Sequence, residues 1–194
     1  MKNKIKKYLK SIGYTNKKIE EMFIRHQHKG KRGAIIIRNI KGNKTLQILN
    51  LGCGPGLNHK CVSQILNKSK IHGIDTDTEA IKLCKLYNPK ERKIIKKYNG
   101  NKIPYHDNKF DAIIFDTVIE HVEKPKQLIK EIYRVLKRDG ILYITTANKY
   151  WPIEPHYNLL FLSYLPKKIA KQYMKIKGLK QGYDDINLPS YREF

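Results

Sequence analysis

The middle of the chain alternates apolar runs with segments of mixed polarity. The runs typical of strands are Thr45–Leu51, Lys70–Asp75, Lys93–Tyr98, Phe110–Asp116 and Gly140–Thr146. Strands that alternate with helices of about ten residues predict βαβ units, hence an α/β fold whose parallel sheet is covered on both faces. Because two right-handed halves must diverge from the first strand, the expected strand order is 3-2-1-4-5, with the fifth strand at an open edge.

Helices are predicted between these strands and at both ends of the chain. The segments are Lys4–Ser11, Asn58–Asn67, Thr78–Tyr87 with Thr78 as its N-cap, Pro125–Lys137 and Lys167–Lys177. A further helix is predicted from Lys17 to about His28, with Thr15 or Asn16 as its N-cap. The isoleucines of Ile35–Ile37 then lead towards the first strand.

The chain is predicted to form one domain with three parts. These are a helical segment at 1–44, the alternating core at 45–148 and an aromatic and basic segment at 149–194. In the last part the alternation stops, and Tyr150–Leu165 is rich in aromatic residues and broken by proline. The longest apolar run is too short to span a bilayer.

A glycine-rich turn joins the first predicted strand to the helix after it. It reads Gly52-Cys53-Gly54-Pro55-Gly56. Glycines let a backbone turn sharply and approach a ligand closely, and in an open α/β sheet this turn lies where ligands bind. Leu57 stands where a dinucleotide-binding G-x-G-x-x-G loop has its last glycine, so the pattern favours a different ligand.

An acid closes the second predicted strand. Asp75 follows Ile71–Ile74, and at this distance from the glycine-rich turn a carboxylate can accept hydrogen bonds from both hydroxyls of a ribose. A solvated loop aspartate is the alternative, which the combination of turn and spacing disfavours.

Several ordered motifs between Ile48 and Asn148 resemble one known family. After the turn and Asp75, the chain has Phe110-Asp111 in the fourth strand, Glu120-His121 beyond it, and Glu131-x-x-Arg134-Val135-Leu136 in the next helix. This arrangement resembles class I S-adenosylmethionine (SAM)-dependent methyltransferases, particularly the group that contains ubiquinone-biosynthesis O-methyltransferases. The resemblance implies a Rossmann-like fold, SAM as cofactor and methyl transfer to an O, N or C atom of a small or lipid-like acceptor.

The resemblance also implies where SAM binds. Residues expected at the methionine part, the ribose and the adenine are Asn50, Gly52, Cys53, Gly54, Gly56, Asp75, Thr76, Asn99, Gly100 and Asp116. Asn50 stands where the family has an acid, which removes a charge that helps to order the loop around the SAM ammonium group. The amide oxygen of Asn99 is expected to accept a hydrogen bond from the adenine amino group. Asp139-Gly140 replaces the usual Gly-Gly turn.

His121 is the candidate catalytic residue. A histidine can take the proton of a hydroxyl nucleophile as it attacks the methyl group. The alternative is a histidine that shapes the pocket by packing, because methyl transfer from a sulfonium depends mainly on in-line positioning. No metal site is predicted: His26 and His28 lie two residues apart and so point to different faces of a helix.

Charge and cysteines bear on partners and compartment. The formal net charge is +23 at pH 7, from 40 Lys and Arg against 17 Asp and Glu. A lysine-rich composition without a polyanionic partner is the favoured explanation, and contact with nucleic acid or an anionic membrane is the alternative. Three cysteines without C-x-x-C spacing favour a reducing cytoplasm over a disulfide framework.

Two other functions remain open at this stage. One is an RNA or DNA methyltransferase, although Asp116-Thr117-Val118-Ile119 differs from the loop that holds a flipped amino-base. The other is a catalytically inactive SAM-binding or scaffold protein, because strands six and seven of the fold have no counterpart in the sequence. Ser190–Phe194 resembles only the start of the helix that precedes them.

The missing strands lead to a prediction about the edge of the sheet. An unpaired fifth strand, Ile141–Thr146, invites association. We expect Tyr150–Leu165 to fold back over this edge, or a second copy of the chain to pair with it. A covering segment would bring Trp151, Glu154 and His156 near the acceptor side of the SAM site.

Overall fold

The computed structural model describes residues 2–11, 13–154, 156–179, 186 and 188. Its helices are α1 (Lys2–Ser11), α2 (Asn16–Lys41), α3 (Leu57–Ile65), α4 (Thr78–Tyr87), α5 (Pro125–Val135) and α6 (Lys167–Ile176). Its strands are β1 (Gln47–Leu51), β2 (Lys70–Asp75), β3 (Ile95–Lys97), β4 (Phe110–Asp116), β5 (Leu136–Thr145), β6 (Ile153–Glu154) and β7 (Leu159–Leu160). The expectation for Ser190–Phe194 lies outside the described residues.

Five strands form one sheet in the order β3-β2-β1-β4-β5, which confirms the predicted order. β1 pairs in parallel with β2 and β4, and β2 with β3. On the other side of β4, the Lys109 amide donates to the Val135 carbonyl oxygen and the Thr117 amide donates to the Thr145 carbonyl oxygen. The partners advance along both segments together, so β5 is parallel to β4. β4 is buried along nearly its whole length, as expected for a strand covered on both faces.

β6 and β7 form a separate, two-stranded antiparallel sheet. They do not extend the five-stranded sheet, so within the described residues the usual strands six and seven of the fold have no equivalent there. β5 is therefore an edge strand in this part of the chain. The cover over this edge by Tyr150–Leu165, or by a second copy, stays a prediction.

Contacts divide the chain into two units. The first comprises residues 1–116 and 124–144, and the second comprises residues 117–123 and 145–194. The first holds the sheet and α1 to α5, and the second holds the β6–β7 pair and α6. A small core of the second unit is formed by Leu162, Ala170, Met174 and Ile186. Among the described helices, none has the length and apolarity that crossing a bilayer requires.

α2 is much longer than predicted. Thr15 caps it as expected, accepting a hydrogen bond from the Lys18 amide, but the helix continues to Lys41. Gly30 and Gly33 weaken the helical pattern in the sequence, yet they allow close packing. A Cβ at position 30 would lie 2.3 Å from Asn58 Oδ1, and one at position 33 would lie 2.8 Å from Tyr143 Cδ1. Packing against α3 and β5 thus outweighs the poor propensity of these residues.

The isoleucines that were expected to lead into β1 belong to α2 instead. Ala34 and Ile37 are buried against Ile48 of β1, Val62 of α3 and Ile114 of β4. Ile35, Ile36 and Ile40 are exposed to solvent at 40%, 43% and 63%. This one-sided burial is the helical periodicity of an amphipathic segment, which the run of three isoleucines conceals in the sequence.

Two boundaries also differ from expectation. Asp77, rather than Thr78, is the N-cap of α4: its Oδ1 accepts hydrogen bonds from the amides of Glu79 and Ala80 at 2.8 and 3.0 Å. β5 begins at Leu136, directly after α5. β5 runs through the predicted Asp139-Gly140 turn, where a Cβ at Gly140 would lie 2.6 Å from Leu136 Cγ, so this position has no room for a side chain.

Arg134 ties α5 to the segment before β4. It donates hydrogen bonds to the Glu131 carboxylate at 2.7 and 2.8 Å and to Asp107 Oδ1 at 2.7 Å. It also donates to the carbonyl oxygens of Tyr105 and Ile103 at 2.8 and 3.0 Å. The neighbouring Arg134 guanidinium lowers the pKa of Glu131. These two residues of the Glu131-x-x-Arg134 motif are therefore structural.

Candidate cofactor and catalytic site

The glycine-rich loop is fixed to the end of β2. The Gly52 and Cys53 amides both donate to the Ile74 carbonyl oxygen, at 2.8 and 3.1 Å. The Cys53 side chain points into an apolar cluster with Ile81, Cys84 and Ile95. The Cys84 side chain and burial raise the pKa of the Cys53 thiol. The Cys53 carbonyl oxygen accepts a hydrogen bond from the Gly56 amide at 3.1 Å, so its backbone and its side chain both hold the loop in place.

Gly54 and Gly56 have positive φ angles for different reasons. At Gly56 φ is 90°, and a Cβ would lie 2.5 Å from Asn88 Nδ2 and 2.9 Å from the Cys84 Cα. At Gly54 φ is 51°, and a Cβ would meet nothing within 4 Å. Gly56 is required by packing on α4, whereas the space at Gly54 is open to a ligand.

Asp75 lies directly against the loop. Its Oδ2 accepts a hydrogen bond from the Gly54 amide at 2.8 Å, and its Oδ1 accepts one from the Asp77 amide at 3.0 Å. A carboxylate offers about four lone-pair sites, so capacity remains for the two hydroxyls of a ribose. Asp75 also orders the loop, a role that the sequence analysis did not assign.

Asn50 is buried in β1 and faces α3. Its Nδ2 lies 3.4 Å from His59 Nδ1, and both side chains are almost fully buried. Burial lowers the pKa of His59 to about 4, so the imidazole is neutral at pH 7. The amide that replaces the family's acid thus has a neutral partner in the helix.

The expected adenine residues lie beyond β3. Asn99 Oδ1 accepts hydrogen bonds from the amides of Asn101 and Lys102 at 3.1 and 3.2 Å, which closes a tight turn. The oxygen expected to contact adenine therefore already holds the turn. Gly100 has a φ of 81°, and a Cβ there would lie 3.4 Å from Thr76 Cγ2. Thr76 and Gly100 are thus neighbours, as a shared ligand would require.

Asp116 ends β4 and is buried. Its Oδ2 accepts a hydrogen bond from Asn58 Nδ2 at 3.1 Å, which connects β4 to α3. Asn50, the loop, Asp75 and Asp116 all lie at the carboxyl ends of adjacent strands. The first unit therefore brings together the core of the predicted cofactor site at the edge where α/β sheets bind ligands.

His121 belongs to the second unit, at the end of a short 3-10 helix, Ile119–His121. Its ring lies 5.7 Å from that of His156, nearly perpendicular at 82°. Glu120 directly precedes His121, and Glu154 lies two residues before His156. Both acids are fully buried. No motif in the sequence connects these acids with His121; the Glu154-x-His156 spacing is the signal that the sequence contains.

The sheet order defines an α/β protein, and the glycine-rich loop held by an acid at the end of the next strand is its candidate cofactor site. Residues 49–144 match a family model described as a methyltransferase domain. Over these residues the chain is similar to a methyltransferase domain, and its sheet has the fold of SAM-dependent methyltransferases.

Curated relatives share this part of the chain. The ubiquinone biosynthesis O-methyltransferase of Pelagibacter ubique is 32% identical over 107 residues, covering 55% of this chain and 44% of the relative. The mitochondrial enzyme of that name from Dictyostelium discoideum is 28% identical over 141 residues, covering 66% and 40%. An uncharacterized protein of Methanocaldococcus jannaschii is 39% identical over 121 residues, covering 62% and 49%. The chain spans less than half the length of these relatives.

Solved structures share the fold. A SAM-dependent methyltransferase from Aquifex aeolicus superposes with a TM-score of 0.55 at 21% identity, covering 75% of this chain and 78% of the other. The cyclase SpnF superposes with a TM-score of 0.54 at 25% identity, covering 62% and 46%. The same fold thus includes a protein whose name describes another reaction.

Proposed function

We propose that the chain binds SAM at the loop Gly52–Gly56 and transfers its methyl group to an oxygen of a small or lipid-like acceptor. The observation that carries this is the contact between the Gly54 amide and Asp75 beside open space, within the matched methyltransferase domain. Oxygen is preferred to N or C because named relatives are O-methyltransferases.

The reaction needs little from the protein beyond positioning. The acceptor oxygen attacks the methyl carbon, the carbon–sulfur bond breaks, and its electron pair stays on sulfur to give S-adenosylhomocysteine. The acceptor loses its proton to a base or to water. The sulfonium is already an activated leaving group, so alignment of acceptor, methyl and sulfur supplies most of the rate. A base such as His121 is needed only for a hydroxyl that is protonated at working pH.

Binding is tested first. Calorimetry should show one site for SAM and for S-adenosylhomocysteine on the purified chain. Asp75→Ala should bind weakly, and the exposed Asp139→Asn should bind as the unchanged chain does. A folded protein that binds neither ligand would refute the proposed cofactor site, and with it the function.

Transfer is tested second, with SAM labelled in its methyl group. Phenols and catechols are offered beside bulk tRNA and duplex DNA. Labelled phenol supports the proposal, whereas label confined to nucleic acid establishes the alternative suggested by the net charge of +23. Binding of SAM without transfer to any acceptor class would favour the inactive scaffold or, as the name of SpnF indicates for that neighbour, another reaction.

Compartment belongs to the same proposal. All three cysteines are free and buried, which supports a reducing cytoplasm. The lysine-rich helix α6 and the exposed aromatic residues before it, such as Trp151 and Tyr164, support contact of a lipid-like acceptor with an anionic membrane. Co-sedimentation with vesicles of anionic and of neutral lipid distinguishes charge-dependent contact from none.

A further inference from the structure

Three side chains with metal-ligating atoms converge in the second unit. They are Glu120, His121 and His156, and one ligand atom from each lies within 4.8 Å of the other two. Glu120 and His121 come from the 3-10 helix after β4, and His156 comes from the turn after β6. The cluster therefore joins two segments that are distant in sequence.

Glu120 contributes a buried oxygen that lacks a partner. Its side chain is fully buried; Oε2 accepts a hydrogen bond from Thr146 Oγ1 at 3.1 Å, and Oε1 has no hydrogen bond. Burying a carboxylate is costly unless a cation or a donor compensates it. A metal ion beside Oε1 supplies that compensation.

His156 is held in the orientation of a metal ligand. Its Nδ1 lies 2.6 Å from Glu154 Oε1, and Glu154 Oε2 accepts the amides of His156 and Tyr157, each at 2.8 Å. A histidine that binds a metal usually donates its other ring N–H to a carboxylate or a carbonyl. The bond to Glu154 assigns the proton to Nδ1, so Nε2 is the ligating nitrogen.

We propose that Glu120, His121 and His156 bind one divalent transition-metal ion of the zinc type, with Glu154 orienting His156. Two imidazoles and one carboxylate are the ligand set of a class of catalytic zinc sites. Magnesium and calcium prefer all-oxygen sites. Ligand atoms around zinc lie roughly 3.3 Å apart for bonds of about 2 Å, and the exposed side chain of His121 has the freedom to close this distance.

Three protein ligands leave a coordination position open. An ion there can bind a hydroxyl oxygen and lower its pKa, because a Lewis acid stabilises the deprotonated form. His121 then acts as a ligand and not as the general base suggested by the sequence. The site goes beyond the proposed function, and its test does not require SAM.

The experiment uses the full chain stripped of metal with a chelator and titrated with Co²⁺, then with Zn²⁺ in competition. We expect one equivalent of Co²⁺ to bind with the visible absorption of low-coordinate cobalt, and Zn²⁺ to displace it. His121→Ala and His156→Ala should each abolish this signal. Glu154→Gln should weaken binding roughly 10- to 100-fold, because the orienting bond is altered.

Controls separate the cluster from adventitious histidines. His28→Ala and His106→Ala, both exposed and in the first unit, should keep the stoichiometry and the spectrum. Circular dichroism should show that every variant is folded. If an alanine variant is unfolded, Glu120→Gln replaces it, because glutamine has nearly the volume of glutamate, and this variant should also weaken the Co²⁺ signal. A chain without stoichiometric Co²⁺, or a His156→Ala variant with unchanged binding, overturns the proposal. SAM calorimetry on the same samples shows whether the proposed function stands independently.

Discussion

The two units form their tight turns from different residues. In the first unit positive φ angles occur mainly at glycines, such as Gly52, Gly54 and Gly56. In the second unit Thr117, Asn158 and Phe161 have φ between 53° and 56°. Only one other described non-glycine residue, Asn108, has a positive φ. Sequence and backbone therefore agree at the glycines of the first unit, as in a minimally frustrated fold, and at Asn158 and Gly178 of the second, but they disagree at Thr117 and Phe161.

The disagreement lies near the candidate metal cluster. Thr117 precedes Glu120-His121, and Phe161 follows His156. Left-handed backbone at non-glycine residues costs energy and is concentrated at functional sites. The first unit therefore builds its glycine-rich loop without backbone strain, whereas the second accepts strained residues near the cluster of Glu120, His121 and His156.

The largest effect is expected where a glycine of the first unit is required by packing. Gly56→Ala should lower the free energy of unfolding by about 3–5 kcal/mol, through left-handed backbone and the clash with Asn88 and Cys84. Gly54→Ala should cost only about 1–2 kcal/mol but weaken SAM binding. Urea unfolding and calorimetry measure both; equal losses of stability would mean that packing does not distinguish the two glycines.

Acid should destabilise the first unit next most strongly. The pKa of His59 is about 4 in the fold and about 6.5 when unfolded. Between pH 6.5 and pH 4 the imidazole of His59 is therefore protonated in the unfolded chain but not in the native chain. The free energy of unfolding falls by about 3 kcal/mol as the pH drops through this range. Unfolding at several pH values should show a reduced slope in His59→Phe, and a slope equal to that of the unchanged chain would contradict this assignment.

Asp75→Ala should weaken SAM binding by roughly 2–3 kcal/mol, because the ribose hydroxyls and the Gly54 amide lose a charged acceptor. Asp75→Asn should retain part of the affinity, since one amide oxygen remains. Calorimetry compares both with Asp139→Asn. Unchanged affinity in Asp75→Ala would show that the carboxylate serves only the loop.

The smallest effect tests strain in the second unit. Phe161 is 54% exposed, and its ring makes an edge-to-face contact with Tyr164 at 5.6 Å, which offsets part of the gain expected from relief of strain. Phe161→Asn should stabilise the chain by about 0.5 kcal/mol, because asparagine tolerates left-handed backbone. Phe161→Leu, which keeps the strain, should give no gain in thermal unfolding. A gain from leucine as large as that from asparagine would remove strain as the cause.

Period and turn chemistry were sufficient to predict the sheet. The strand order, the exact bounds of β2 and β4 and the position of the glycine-rich loop follow from apolar runs and glycines. α2 could not be predicted in full, because its continuation past Gly30 and Gly33 depends on contacts with Asn58 and Tyr143. Local preference opposes those contacts, and tertiary packing decides.

The candidate site was predictable only in part, for a similar reason. Asp75 was found from its spacing to the loop, but its bond to Gly54 is a property of the folded turn. The histidine cluster depends on a contact between residues 121 and 156. No periodicity connects these positions, and Glu154 gained its meaning only when the structure showed it bonded to His156.

Arg134 has a consequence for recognising such proteins in genomes. Its hydrogen bonds to Glu131, Asp107 and two carbonyl oxygens tie α5 to the segment before β4, and none of these partners is a residue of the candidate cofactor site. A database match that rests on the Glu-x-x-Arg helix therefore reports ancestry and shape. A homologue that kept Arg134 and lost Asp75 would match methyltransferases in sequence and in fold. Its cofactor pocket would no longer be constrained to bind SAM and could evolve to bind another ligand.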